Sequence, residues 1–181
     1  MINLIGNSCF SSYIKRDFLK EEFINPFVWC SVTETDILNV IKFYEEINWF
    51  NYSIYLYKNK TFNIQNVKII VDNLFTIKFP HYALSNCETK IDGVNVFSKN
   101  IIQFAEEKYN NRCKKLLKYN ITPTYLLGGT WEDQIIYNEK DFLKFKNIII
   151  VNNPQIVHDN YKLAYWFWEN KNQFKFNIEP K

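Results

Sequence analysis

The chain predicts an α/β fold: a three-layer, Rossmann-like domain with a mostly parallel sheet and a small antiparallel extension. Three observations carry that expectation. Short apolar runs closed by Gly, Asn or Pro alternate with segments of helical period at both ends of the chain. The middle switches to β-branched and aromatic runs separated by turn residues. No repeat, low-complexity stretch or Pro/Gly/Ser-rich linker divides the 181 residues, which are 47% hydrophobic and 18% aromatic with only 4 Gly and 5 Pro. One domain over residues 1–181 is therefore expected, long enough to bury a core, with a polar tail over 170–181.

Ile2 to Ile5 reads as a short strand closed by Gly6-Asn7. Phe10, Tyr13, Ile14 and Phe18 then fall at helical spacing, which predicts a first helix from Cys9 to about Lys20. Pro26-Phe27-Val28-Trp29-Cys30 is almost wholly apolar and fits a buried second strand. Thr33-Glu34-Thr35-Asp36 offers an oxygen cap and first-turn acids for a helix carrying Ile37, Val40, Ile41, Tyr44 and Ile47 on one face. Strands are expected over 53–57, 67–71 and 74–79, and a polar loop over 85–95. Ser98 caps a predicted helix of 99–119 with a buried stripe of Ile102, Ala105, Tyr109, Cys113 and Leu116. Ile121 to Leu127 is the next strand, ending in Gly128-Gly129, and Thr130-Trp131-Glu132-Asp133 has the makings of a helix start. A short helix is expected from Asn138 through Phe145. Ile148 to Val151 fits a central parallel strand, and a last helix spans about 160–169.

Composition excludes several function classes. A net charge of +3, from 22 basic and 19 acidic residues, leaves no electrostatic footprint for nucleic acid. No run of about 18 apolar residues exists to span a membrane. Met1 leads into the first strand without the basic and apolar blocks of a secretory leader. The four cysteines (Cys9, Cys30, Cys87, Cys113) are scattered, and only His81 and His158 could join them. No metal site is expected. Free thiols point to a reducing, cytoplasmic setting.

In a parallel α/β sheet, ligands bind beyond the carboxyl ends of the strands. Here those ends are 6–9, 30–33, 128–130 and 152–153. Cys9 opens a helix directly after the first strand, where unpaired backbone N–H groups and the helix dipole favour thiolate. Asn7 and Ser8 could serve as side-chain donors to a developing oxyanion. His81, after the stiff turn at Pro80, is the expected base, and His158 is the alternative. Asp72 or Asp133 could orient His81. Arg112 could grip a phosphate or carboxylate, and Gly128-Gly129-Thr130 could turn backbone N–H groups toward an anion. The run Tyr165-Trp166-Phe167-Trp168, with Tyr161, is too aromatic for one helix face. An oligomer or partner-protein surface through Tyr161, Tyr165, Trp166 and Trp168 is expected first, and sugar stacking second.

Asn7-Ser8-Cys9, Asn25-Pro26-Phe27-Val28-Trp29, Phe79-Pro80-His81-Tyr82 and Ala105-Glu106-Glu107-Lys108-Tyr109-Asn110-Asn111-Arg112 occur in an order that resembles two related bacterial families. One is labelled exopolysaccharide-biosynthesis protein, the other papain-like cysteine peptidase. Both accompany capsule and surface-glycan genes. The resemblance spans about residues 2–151. It implies Cys9 as nucleophile, His81 as its partner and Arg112 as a helix arginine of the family. Val28 stands where the peptidase-labelled family tends to carry an acid, so a complete Cys-His-Asp triad is not implied. The loop Ile5 to Cys9 also resembles that of capsule-biosynthesis acyltransferases that hold coenzyme A, which makes a coenzyme A thioester a candidate donor.

Three functions follow as expectations. The first is acyl or related group transfer through Cys9 in surface-polysaccharide biosynthesis, acting on a small-molecule or sugar substrate. The second is a cysteine hydrolase using the same residues. The third is a non-catalytic module binding a glycan or nucleotide sugar, in which Cys9 is structural and Arg112 does the recognition, favoured if Cys9 is buried and unreactive.

Overall fold

A computed structural model of the chain describes residues 1–59, 64–80, 88–91, 94–97, 101–130 and 139–176. The apolar run at the start forms β1 (Asn3–Ile5), and α1 (Cys9–Tyr13) follows at once. Ser8 is the N-cap of α1, its hydroxyl accepting the Phe10 N–H. The helix widens into a π-helix over Ile14–Leu19 and ends at Lys20 in the left-handed region. Such wide turns often lie beside functional sites. Next come α2 (Glu34–Phe43), capped by Thr33 as its sequence predicts, and then β2 (Tyr52–Asn59), β3 (Ile64–Val71) and β4 (Phe75–Phe79). The hairpin β5 (Glu88–Ile91) and β6 (Val94–Phe97) leads to α3 (Ile101–Tyr119) and β7 (Pro123–Gly128). The chain closes with β8 (Ile148–Val151) and α4 (Asn160–Glu169).

The fold is α/β, as expected, with one parallel sheet, one three-stranded antiparallel sheet and the separate antiparallel pair β5–β6. β1, β7 and β8 lie side by side in that order and are all parallel. The antiparallel part is longer than the parallel one: β2, β3 and β4 form a meander in which Tyr55 faces Lys68 and Lys68 faces Lys78. Period-two alternation sorts the parallel sheet between two cores. Ile5, Tyr125 and Leu127 point to one side, joining α2, α3 and the buried face of the meander (Val67, Ile69, Val71, Phe75, Ile77, Phe79). Leu4, Leu126 and Val151 point to the other, against Phe10, Ile14, Leu163, Ala164 and Phe167 of the α1–α4 layer. The stripe predicted on α3 is buried at Ala105, Tyr109, Cys113 and Leu116.

Five expectations are corrected. Pro26 to Cys30 is not a strand. The Asn25 side chain takes the place of a neighbouring strand by donating to Leu4 O at 2.9 Å and Asn3 Oδ1 at 2.8 Å, and Trp29 turns the backbone to φ 53°. Strand-like pairing comes only after the expected second strand, at Ser31–Val32. Ser31 exchanges two hydrogen bonds with Lys78 of β4, at 2.8 and 3.0 Å, and Val32 N–H donates to Asn7 O at 2.9 Å. These two residues seam the parallel sheet to the antiparallel one. β8 is an edge, not a centre, among the described residues. Its apolar run reports two covered faces, since Ile148 and Ile150 pack on one core and Ile149 on the other. The polar stretch 85–95 contains strand β5 and the start of β6, which runs on to Phe97. The helix expected from Asn138 is a 3₁₀ turn, Glu139–Asp141, which buries Phe142 and leaves Leu143 outside. The tail opens with a 3₁₀ turn at Lys171–Phe174 and sends Phe176 into the α1–α4 core, where it meets Phe167 edge-on at 5.2 Å.

Candidate functional site

The carboxyl ends of β1 and β7 meet in a knot of hydrogen bonds. Asn7 Oδ1 accepts the Gly128 N–H at 2.9 Å, and Ser8 Oγ donates to Gly128 O at 2.6 Å. Ser8 Oγ also lies 3.0 Å from Asn160 Oδ1, and Asn160 Nδ2 donates to Thr130 O at 3.1 Å. Thr130 Oγ1 is 2.9 Å from His158 Nδ1. Gly129 has φ +70°, and a Cβ there would overlap Asn160 Oδ1 outright. A Cβ on Gly128 would come within 2.9 Å of Val151 O. The expected set Asn7, Ser8, Gly128, Gly129 and Thr130 is thus brought together. Its use differs from the expectation, because the Asn7 oxygen and the Gly128 N–H are engaged with each other. Asn160 completes the knot and was missed: an Asn in the first turn of a helix is usually read as a cap.

Cys9 holds the first position of α1, as expected, yet only 3% of it is exposed. Burial pushes its thiol up to about 12, and the hydrogen bond from its own backbone offsets only part of that. The helix start does not produce the depressed pKa expected of a nucleophile. Cys30, wholly buried with its thiol 3.8 Å from Gly6 O, is pushed up as well, first by burial and then by Cys9. The half-buried Arg112, on α3, pulls it the other way. Arg112 therefore acts electrostatically on the Cys30 side of this corner. His81 and Asp133 lie outside the described residues. Asp72 is spent in a turn, accepting from Asn48 N at 2.9 Å and from Asn51 Nδ2 at 2.9 Å. Among the described residues no three His, Cys, Asp or Glu side chains cluster as a metal site would need, and no helix is long and apolar enough to cross a membrane.

An aromatic surface adjoins the knot, carried by α1, the bend at Trp29 and the start of α4. Tyr13 meets Trp29 edge-on at 5.0 Å and Tyr161 at 5.3 Å, and Tyr161 lies 4.7 Å from Tyr165. The Arg16 guanidinium sits 5.1 Å from the centroids of both Tyr13 and Trp29. It also forks onto Asp17, at 2.5 and 2.9 Å, which holds the Asp17 carboxyl below its ordinary value. Of the seven non-glycine residues at positive φ among those described, six are Asn, Asp or Lys, and only Trp29 is aromatic. A bulky side chain held there marks backbone strain of the kind that collects at ligand sites. The Trp29 N–H is secured by Ser12 Oγ at 2.9 Å. Burial raises the Tyr13 hydroxyl first, and Cys9 next. The aromatic surface and the cysteine corner are therefore one neighbourhood.

The expected partner surface is only half available. Trp168 stacks on Phe18 at 4.9 Å and Trp166 packs edge-on to Phe174 at 5.9 Å, leaving Tyr161 and Tyr165 as the exposed members, at 46% and 41%. No family model matches the chain, and neither a curated protein nor a solved structure is significantly similar to it.

The buried acids predict alkaline lability. Cys9, Cys113 and Tyr44 are pushed up to about 12, and Cys30, Tyr109 and Tyr125 are raised too, each first by burial. Their folded pKa values exceed the unfolded ones, so the folded chain keeps protons that the unfolded chain gives up. That stability is whole below pH 9 and is lost as pH climbs toward 12, by about 1.4 kcal/mol per group per pH unit. Lys15, buried with Nζ on Ile2 O, is pushed down to about 8 and works in the opposite sense from there to its usual 10.5. One lysine does not offset three thiols. Urea midpoints should fall steeply from pH 9 to 11, and Cys113→Ala should flatten the slope. A midpoint independent of pH across that range would refute the protonated-thiol core.

Proposed function

We propose that the chain is a non-catalytic binding module for a sugar or nucleotide sugar, placed in surface-polysaccharide biosynthesis by the family resemblance of its motifs. The observation that carries this is the strained Trp29 in the aromatic surface with Tyr13, Tyr161 and Arg16, next to the hydroxyl, imidazole and carboxamide of Thr130, His158 and Asn160. Aromatic faces bind the C–H face of a pyranose, while fixed polar groups at the strand ends choose among its hydroxyls. The pairing of stacking surface and oriented donors is the usual composition of a small-ligand site. A thiol closed off and protonated leaves Cys9 a packing role. Unpaired thiols also suit a reducing compartment, in keeping with a cytoplasmic protein.

UDP-glucose and UDP-N-acetylglucosamine titrated against tryptophan fluorescence test the proposal. Saturable quenching is expected, weakened about tenfold by Trp29→Ala and unchanged by Cys9→Ala. Equal affinity in Trp29→Ala, or no binding at millimolar ligand, would sink it. Group transfer through Cys9, with a coenzyme A thioester as donor, stays as the second reading. Its support is the placement of Cys9 at the first position of a Ser8-capped helix directly after β1.

A further inference from the structure

The two edges of the meander differ. β4 is met on its open side by Ser31, which exchanges two hydrogen bonds with Lys78 at 2.8 and 3.0 Å. β2 is the other edge, eight residues long, and among the described residues it pairs only with β3. An edge strand offers its outward N–H and C=O groups to any second strand, and proteins usually block it with Pro, charge or a bulge. Here Tyr52-Ser53-Ile54-Tyr55-Leu56-Tyr57 carries neither Pro nor charge, and its pairing with β3 runs unbroken. Tyr55 and Leu56, adjacent and therefore on opposite faces, are 48% and 41% exposed.

The strand is complementary to itself. A two-fold axis through Tyr55 overlaps residues 52–58 with a second copy and keeps every side chain on its proper face. Leu56 then lies across from the partner's Ile54, Tyr55 from the partner's Tyr55, and Lys58 from the partner's Tyr52. That last pairing brings opposite charges together. Tyr52 leans onto α3, its hydroxyl 3.1 Å from Glu106 Oε1 and 2.9 Å from Asn110 Oδ1. Lys58 and Glu106 are both exposed. Directly opposed side chains start about 5 Å apart, so an ammonium running along the Tyr52 ring arrives at the Glu106 carboxylate. The axis makes this contact twice. α3 meets β2 at Tyr52, and the two copies of Tyr52 fall about 20 Å apart along the joint, which sets the two helices at opposite ends of it.

We propose that β2 pairs edge to edge with β2 of a second copy, joining two three-stranded meanders into one continuous antiparallel sheet. The joint uses no residue of the sugar-binding proposal, and either can fail alone. Sedimentation equilibrium of the full chain should show monomer–dimer exchange between about 1 µM and 1 mM, and amide hydrogen exchange should slow over 52–58 as the dimer forms. Tyr55→Glu sets two carboxylates against each other at the axis and should weaken association by about tenfold. Within one chain the new carboxylate faces Lys68, the paired residue on β3, whose ammonium lies 5.9 Å from the Tyr55 ring centroid. The variant is therefore expected to fold, which circular dichroism verifies. Lys58→Glu and Glu106→Lys should each weaken the dimer by about fivefold, and the two combined should restore it. A chain monomeric up to about 1 mM would overturn the proposal. A dimer that Tyr55→Glu leaves intact, with exchange slowed over 161–168 instead, would overturn it too, by placing the contact on the aromatic surface. Charge variants that fail to rescue each other would do the same.

Discussion

Iodoacetamide at pH 8 is expected to leave Cys9 and Cys30 unmodified in the native protein over a period that fully alkylates an unstructured thiol. A thiol with a pKa of about 12 is thiolate in roughly one molecule in ten thousand at that pH, whereas an ordinary thiol near 8.5 is thiolate in about a quarter. The difference is about three orders of magnitude in reactive species, before the 3% exposure of Cys9 and the complete burial of Cys30 slow the reagent further. Mass spectrometry of peptides from the native and the urea-unfolded protein reads each site separately, with the unfolded sample as the positive control. Fast modification of Cys9 alone, with a midpoint below pH 7, would overturn the binding-module proposal and restore the group-transfer reading. In that case replacing His81, which the resemblance offers as the partner, should move the midpoint.

Gly129→Ala is expected to destabilise the chain by about 2–4 kcal/mol. Two causes add. Alanine in the left-handed region at φ +70° is strained by roughly 1 kcal/mol, and its Cβ would overlap Asn160 Oδ1 and lie 2.9 Å from Ser8 Oγ. The second cause is local and can be removed. Adding Asn160→Ala clears the overlap, so the combined loss should fall short of the sum of the two single losses. Urea unfolding of the four chains measures this directly. A Gly129→Ala chain within about 0.5 kcal/mol of the parent would mean the knot at the strand ends is loose.

The placement of this knot was legible in the sequence because it depends on local signals. Gly6-Asn7 closes a short apolar run, Gly128-Gly129 closes another, and the strand-end rule for parallel sheets does the rest. α2 was legible from its Thr33 cap and helical stripe and α3 from its stripe alone, the expected cap at Ser98 lying outside the described residues; α4 was expected at its observed place without either signal. What the sequence hid is non-local. The run from Pro26 to Cys30 has strand composition, but Asn25 satisfies the edge of β1 in its place, and nothing in the residue types foretells a tryptophan at positive φ. The strand pair of 88–91 and 94–97 was missed because Lys and Asn dilute its alternation, although Thr89 and Ile91 in one strand and Val94 and Val96 in the other keep period two. At Cys9 the helix start was right and its electrostatic consequence was not. A position at a helix N-terminus lowers a thiol pKa only where the thiolate stays solvated or paired, and burial on this scale outweighs the dipole.

The seam at Ser31 and Val32 has a kinetic consequence. β2, β3 and β4 pair with their neighbours in sequence, so the meander closes only short loops. β1 must find β7 with residue 3 beside residue 123, and the loop-closure entropy for that is spent before any parallel pairing is gained. Ser31 binds the meander at Lys78 while the next residue holds Asn7 at the end of β1. Once the meander exists, those two residues tether β1 to its edge and shorten the search that the parallel sheet would otherwise make unaided.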